Sequence, residues 1–191
     1  QTLTRVPLIE PSSDLSPEMM GIFAWVTEME GSVPNHFKVE LNFPEFFVAK
    51  LGATKVLWEM GELTMSEIQQ IGIAISQANG CAYCTAAFCT IWNFGLGASV
   101  TEVEELLKEG LNCRQSDRER AMLHYSLKVN KDPGNVTDED INALRDAGFG
   151  EKGIIQITHL VSDFSSYNTL NLALDTEYDY DAIWKATDHI S

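Results

Sequence analysis

Signals that begin and end helices recur along the chain, whereas the alternating pattern of strands does not. In the segment LTMSEI, Thr64 and Glu67 have the spacing of a capping box, in which each side chain caps the backbone of the other. The dipeptide NG at 79–80 then provides a stop. These signals predict a helix over residues 65–78.

The same kind of signal predicts helices elsewhere. Capping residues or an initial proline mark starts near residues 17, 44, 100, 117 and 138. Residues 151–174 carry a broad apolar stripe, which favours a long buried helix, although its Val and Ile residues also suit a strand. Because the neighbouring segments are helical, we predict an all-α fold.

Length and composition indicate one domain. The chain has 191 residues, of which 45% are hydrophobic, and this is enough for a single sizeable core. No low-complexity segment or repeat divides it. We therefore assign residues 1–191 to one domain.

The charge balance limits the possible partners. Thirteen basic and 28 acidic side chains give a formal net charge of −15, which argues against binding nucleic acid or an anionic membrane. No apolar run approaches the ~18 residues of a membrane span, and the first ten residues lack the features of a secretory signal. We expect a cytoplasmic protein.

The most informative chemistry lies in the segment NGCAYC. If a helix starts after Gly80, Cys81 lies in its first turn and Cys84 on the same face, and the helix N-terminus favours a thiolate. The pair is therefore a candidate redox site. Inert packing and metal binding are the alternatives, but zinc is disfavoured because Cys89 and Cys113 do not form a second spaced pair.

No cation accompanies the cysteines locally, since no Lys, Arg or His occurs from Val56 to Leu107. A base for thiol chemistry would have to come from elsewhere. The four histidines are His36, His124, His159 and His189.

Three segments together resemble one known family. They are LTMSEIQQIGIAISQANGCAYC, GLGASVTEVEELL and DPGNVTDEDINALRDAGFGEKGIIQITHLVSDFSSYN, and they span about residues 30–178. They are similar to the AhpD-like superfamily, which includes carboxymuconolactone decarboxylases, and the second half is most similar to its peroxidase-related branch. The resemblance implies an AhpD-like helical bundle that assembles into homo-oligomers, trimers or hexamers. It also implies that a cysteine pair reduces hydroperoxides or a partner disulfide and is itself reduced again by a thiol or dithiol. Neither a cofactor nor a metal is expected.

The resemblance assigns roles to individual positions. Cys84 corresponds to the cysteine that attacks the substrate and Cys81 to the one that resolves the sulfenic acid. The positions of the family's glutamate and histidine proton relay are Gln69 and Phe88. Gln69 cannot take a proton at neutral pH and Phe88 cannot form ordinary hydrogen bonds, so both relay groups are replaced. General acid–base catalysis contributes about 100- to 10,000-fold, which makes another proton-transfer group necessary for a fast enzyme.

Other residues are weighed as supporting groups. His124 and His159 lie in predicted helices and either could face the cysteines, although a structural role is the simpler interpretation. Tyr83, between the cysteines, either contacts a bound peroxide or packs beside the pair. Glu67 is explained by its capping box.

Three hypotheses follow. The first is an alkylhydroperoxidase-like thiol oxidoreductase. The second is a catalytically degenerate member that binds a small ligand or serves as a scaffold, which the substitutions at Gln69 and Phe88 favour. The third is a cofactor-free decarboxylase or lactone-processing enzyme, which would not need the cysteines.

Overall fold

A computed structural model describes residues 3–113 and 116–185, and within these ranges the regular structure is helical with no strand. The α-helices are α1 Pro17–Glu30, α2 Asn35–Glu40, α3 Pro44–Glu59, α4 Met65–Ala78, α5 Ala82–Thr90, α6 Val100–Glu109, α7 Asp117–Lys131, α8 Asp138–Asp146, α9 Glu151–Ala173 and α10 Ala182–Lys185. A π-helical segment, Ile91–Gly95, extends α5, and short 3-10 turns occupy Gly110–Asn112 and Pro133–Asn135. The predicted all-α class is confirmed. No described helix combines the length and apolar character needed to cross a bilayer.

The predicted caps explain where the helices begin. Thr64 and Glu67 form the full capping box of α4, and Thr137 forms another with Asp140 at the start of α8. The side chain of Ser16 accepts a hydrogen bond from the Met19 amide at the start of α1. Each bond satisfies a backbone N–H that the helix itself leaves unpaired.

Helix α4 forms the centre of the fold. Ile68, Ile71, Ile73 and Ile75 have no exposed surface, because α5, α7 and α9 pack around this helix. A second, smaller apolar cluster joins α1 to α3 and reaches Tyr167 of α9. The cysteine segment lies beside the central helix, where α4 turns into α5.

Several elements were not predicted from the sequence, among them α2, the π-helical segment and the short α10. Helix α2 and the π-helical segment have no capping signal, and tertiary packing holds them instead. Gly95 illustrates this packing, since a Cβ there would lie 2.6 Å from the carbonyl oxygen of Met29 in α1. Only glycine allows the π-helical segment to approach α1 so closely.

Candidate active site

The cysteines lie at the start of α5 and form a disulfide, with their Cα atoms 5.3 Å apart. Cys81 is the N-cap residue and not part of the first turn, because its Sγ accepts a hydrogen bond from the Cys84 amide at 3.2 Å. Both residues are buried, at 2% and 3% exposure. The pair is thus covalently linked and shielded from bulk solvent.

A buried polar network fixes the turn that precedes the pair. Asn79 donates to Asn168 at 2.9 Å, and Asn168 donates to Ser76 at 3.0 Å. Asn130 of α7 donates to Asn79 at 2.8 Å. Because α7 and α9 both bond to Asn79, the residues that lead into Cys81 have a defined position.

A small, mainly apolar cavity of about 60 Å³ opens beside Cys84. Cys84 contributes to its wall, whereas Cys81 does not. The wall residues come from α1, α2, α3, α5, the π-helical segment and α9: Trp25, Val26, Met29, Glu30, His36, Phe37, Leu51, Thr54, Trp58, Tyr83, Cys84, Ala87, Phe88, Ile91, Phe164, Tyr167 and Asn171. Of the two sulfurs, that of Cys84 is placed to meet a molecule in this cavity.

Three residues of the wall carry buried polar atoms that lack hydrogen-bond partners: His36 Nδ1, Trp58 Nε1 and Asn171 Oδ1. The amide nitrogen of Asn171 lies 3.5 Å from Cys84 Sγ and also donates to the Tyr167 carbonyl at 3.0 Å. Unpaired buried polar atoms are costly, and in native proteins they often mark a place where a ligand or water binds. The cavity therefore combines an apolar body with a few polar groups, as small-molecule sites do.

Several titratable side chains of the wall have strongly shifted pKa values, among them His36 and Glu30. Burial lowers the pKa of His36 to about 3, so its imidazole is neutral at physiological pH. Burial also raises the pKa of Glu30 to about 8; the Tyr180 hydrogen bond opposes this rise and the charge of Asp179 adds to it. At neutral pH the Glu30 carboxyl therefore carries a proton.

Tyr83 joins the cysteine helix to α2 and to the segment that contains Asp179. Its hydroxyl accepts a hydrogen bond from the His36 backbone amide at 3.0 Å and donates one to Asp179 at 2.8 Å. Burial, together with Asp179, raises the pKa of this phenol. Tyr83 lines the cavity and also anchors the segment that contains Asp179.

The two relay positions hold groups that do not transfer protons. Gln69 has no exposed surface, and neither its amide nitrogen nor its amide oxygen has a hydrogen-bond partner. The ring of Phe88 lies against Gly72, where a Cβ would be 2.5 Å from Cγ of the ring, and against Phe164 at a centroid distance of 4.6 Å. Phe88 contributes to the cavity wall, whereas Gln69 does not.

Neither His124 nor His159 faces the cysteines. Both are exposed, and they lie beside separate surface hollows away from Cys84. Their helices turn these positions outward because the apolar residues next to them fill the core. His189 lies outside the described residues.

The remaining cysteines are buried in the core. Cys113, which follows a 3-10 turn, is only 5% exposed. Burial raises the pKa of Cys89, which favours the protonated, unreactive thiol. Within the described ranges, no group of three or more His, Cys, Asp or Glu side chains has the arrangement of a metal site.

The sequence interpretation missed most of the polar residues of the site. Glu30, His36, Asn171 and Tyr180 come from four separate parts of the chain, and none belongs to a motif. The absence of a local cation around the cysteines was the one signal that pointed to distant groups.

Comparison with known proteins shows which family the chain resembles. The Carboxymuconolactone decarboxylase family matches residues 44–127. A peroxidase-related protein from Ralstonia eutropha with an alkylhydroperoxidase AhpD core is 26% identical, with a TM-score of 0.82 and 96% of each chain covered. A peroxidase-related protein from Silicibacter sp. is 22% identical, with a TM-score of 0.81 and coverage of 99% of this chain and 97% of that one.

The debrominase Bmp8, in a C82A complex with 2,3,4-tribromopyrrole, is 21% identical, with a TM-score of 0.76 and coverage of 100% of this chain and 98% of its own. The search of curated proteins finds no match. The family match includes the cysteine pair, and the structural likeness extends over nearly the whole chain. The family match over residues 44–127 and the likeness to an AhpD core make the chain similar to the AhpD-like carboxymuconolactone decarboxylase superfamily.

Proposed function

We propose that the protein is a thiol oxidoreductase that reduces a small apolar hydroperoxide with the Cys81–Cys84 pair. The observation that carries this proposal is the asymmetry of the pair, since Cys84 lines the cavity and Cys81 lies behind it. Cys84 is therefore the attacking residue and Cys81 the resolving residue. The apolar wall favours an organic hydroperoxide over hydrogen peroxide.

The reaction consumes two thiols. The Cys84 thiolate attacks the terminal oxygen of the hydroperoxide, the O–O bond breaks, and Cys84 becomes a sulfenic acid while the alkoxide leaves as an alcohol. The Cys81 thiol then displaces the hydroxyl group as water and forms the disulfide. A thiol or dithiol reductant returns the disulfide to two thiols by exchange.

A second substrate class is favoured by the aromatic walls of the cavity. Trp25, Trp58 and Phe88 give the cavity an aromatic lining, and a structural relative is a debrominase. In reductive dehalogenation the two thiols supply two electrons: halide leaves, a C–H bond replaces the C–halogen bond, and the pair becomes a disulfide. This reaction needs the same Cys84.

The homo-oligomer remains part of the proposal. Phe43 and Phe46 are 63% and 56% exposed and form a ring pair with centroids 6.0 Å apart. Exposed paired aromatics are typical of protein interfaces. Light scattering at several concentrations will show whether a trimer or hexamer forms, and Phe43→Ser with Phe46→Ser is expected to weaken it.

The test of function is a single-turnover reaction. Fully reduced protein is mixed with limiting cumene hydroperoxide, hydrogen peroxide or 2,3,4-tribromopyrrole, and the cysteines are mapped by mass spectrometry. Wild type is expected to form the Cys81–Cys84 disulfide, Cys81→Ser to stop at a Cys84 sulfenic acid, and Cys84→Ser to be inert. Cys89→Ala is the matched control and should react like wild type.

The outcomes separate the hypotheses. Cumene hydroperoxide that reacts faster than hydrogen peroxide supports the apolar-substrate proposal, and disulfide formation with bromide release from the pyrrole supports dehalogenation. If the folded protein reacts with each of the three reagents no faster than the urea-unfolded chain does, the oxidoreductase hypothesis is refuted. The hypothesis of a catalytically degenerate, ligand-binding protein would then remain.

A further inference from the structure

A hydroperoxidase without the usual relay still needs a proton donor. The alkoxide that leaves when an O–O bond breaks is strongly basic, so its departure is slow unless a nearby acid protonates it. Neither Gln69 nor Phe88 can do so, and His124 and His159 lie outside the cavity. The candidate must come from the residues that surround Cys84.

Glu30 is the one carboxyl group among the described residues that line the cavity with Cys84. It is the last residue of α1, and its Oε1 accepts a hydrogen bond from the Tyr180 hydroxyl at 2.5 Å. The other oxygen, Oε2, has no hydrogen-bond partner within the described part of the chain. One oxygen is thus held in place while the other stays available.

The surroundings of Glu30 favour the neutral carboxylic acid. Asp179 and Tyr180 of the C-terminal segment and Tyr83 of α5 interact with Glu30. His36 lines the same cavity, and no lysine or arginine lines it. The pKa of about 8 therefore has a geometric origin, namely burial without a cation and beside a second carboxylate. An acid of this strength is well matched to proton transfer near neutral pH.

We propose that Glu30 is a catalytic general acid that protonates the alkoxide leaving group and replaces the relay lost at Gln69 and Phe88. This inference rests on the proposed hydroperoxide reduction. Tyr180 is its positioning residue, because its hydroxyl holds Oε1 of a side chain that lines the cavity.

The proton balance is complete. The Cys84 thiolate attacks the terminal oxygen, which keeps its hydrogen and becomes the sulfenic acid. The O–O bond breaks, the leaving alkoxide takes the proton of Glu30, and the alcohol is released. The Glu30 carboxylate then recovers the proton that the Cys84 thiol lost on ionisation.

The test compares leaving groups that differ in their need for a proton. Reduced wild type, Glu30→Gln and the control Glu28→Gln, an exposed glutamate of the same helix, react with three reagents. Cumene hydroperoxide releases a basic alkoxide, peracetic acid releases acetate, and iodoacetamide releases iodide. Only the first reagent needs the acid.

We expect Glu30→Gln to lower the rate of reaction with cumene hydroperoxide about 100-fold. The rates of reaction with peracetic acid and iodoacetamide should change less than about threefold. Glu28→Gln should match wild type with all three. With cumene hydroperoxide, the wild-type rate should fall above about pH 8 relative to its rate with iodoacetamide, as Glu30 loses its proton. This alkaline limb should be absent in Glu30→Gln.

Three results would overturn the assignment. If Glu30→Gln matches wild type with cumene hydroperoxide, the acid role fails and the oxidoreductase stands. If Glu30→Gln slows all three reagents equally, Glu30 has only a structural role. If folded wild type reacts with cumene hydroperoxide no faster than the unfolded chain, the acid role falls together with the proposed function.

Discussion

Two glutamates of this protein have opposite surroundings. Glu67 lies in the first turn of α4, where it completes a capping box and binds Arg118 at 2.7 Å. Glu30 ends α1 beside the cavity, where its partner is the Tyr180 hydroxyl and a second carboxylate, Asp179, lies nearby. Burial raises the pKa of both; at Glu67 the Arg118 and Thr64 interactions outweigh it and the pKa falls, whereas at Glu30 it rises to about 8.

The difference in surroundings distinguishes a carboxylate that stabilises the fold from a carboxyl group that is suited to proton transfer. A glutamate that caps a helix and pairs with an arginine is held in its charged form and stabilises the fold. A buried glutamate without a neighbouring cation is costly in its charged form, so its pKa rises. Carboxyl groups with such raised pKa values are found most often at functional sites. Three predictions test this contrast, from the largest expected effect to the smallest.

The largest effect is expected from restoring the family's glutamate at position 69. Gln69 is fully buried and its amide has no partner, so Gln69→Glu places a carboxyl where no cation compensates it. Its pKa should rise far above the unfolded value, and stability should fall as pH increases. We expect a loss of about 4 kcal/mol at pH 8 and a smaller loss at pH 5, measured by urea denaturation.

Gln69→Leu is the matched control for this variant. It removes the unpaired polar atoms at nearly constant volume and should be at least as stable as wild type. A Gln69→Glu protein as stable as Gln69→Leu at pH 8 would show that position 69 contacts water or a cation.

Replacement of the structural glutamate comes next. Glu67→Ala removes half of the capping box and the partner of Arg118, so we expect a loss of about 2 kcal/mol at pH 7. Because the folded-state pKa of Glu67 is lowered, its contribution is present above the unfolded value and is lost as pH falls. Thermal unfolding at pH 7 and pH 3 checks both the size and the direction.

Glu102→Ala is the control for Glu67→Ala. Glu102 is exposed and occupies the same helical position after Ser99, but only its backbone amide takes part in the cap. Its replacement should cost less than about 0.5 kcal/mol. Equal losses for the two variants would contradict the importance of the Arg118 pair.

The smallest effect concerns the pH dependence contributed by Glu30. A carboxyl whose folded pKa is raised stabilises the fold fully below its unfolded pKa of 4.5, and this stability is lost as pH rises through about 8. Because the Glu30 residue is only half-buried, solvent partly screens it, and we expect wild type to lose about 1–2 kcal/mol from this group between pH 5.5 and pH 8.5. Urea denaturation of Glu30→Gln should show a correspondingly flatter pH profile, and an unchanged profile would contradict the raised pKa.

The fold could be predicted from the sequence because its signals are local. Thr64, Thr137 and Ser16 act within one helical turn, so their capping role is visible without tertiary structure. Cys81 and Cys84 were likewise found from their spacing, although the assignment of Cys81 to the first turn was wrong, since its sulfur caps the helix.

The rest of the site depends on contacts between distant segments. Glu30 and Tyr180 are separated by 150 residues, and no sequence pattern links them. The local sequence also could not predict which way the side chains of His124 and His159 point, because both lie in helices with buried residues on several sides.

The contact between Phe88 and Gly72 makes the two positions interdependent. A methyl group at position 72 would overlap the ring, so a phenylalanine at 88 is compatible only with glycine at 72. Mutational effects at these sites therefore cannot be additive: Gly72→Ala should be harmful beside Phe88 and tolerated beside a smaller residue. A directed-evolution library that varies position 88 alone would therefore keep glycine at position 72. A larger residue at 72 becomes accessible only after Phe88 has been replaced by a smaller one.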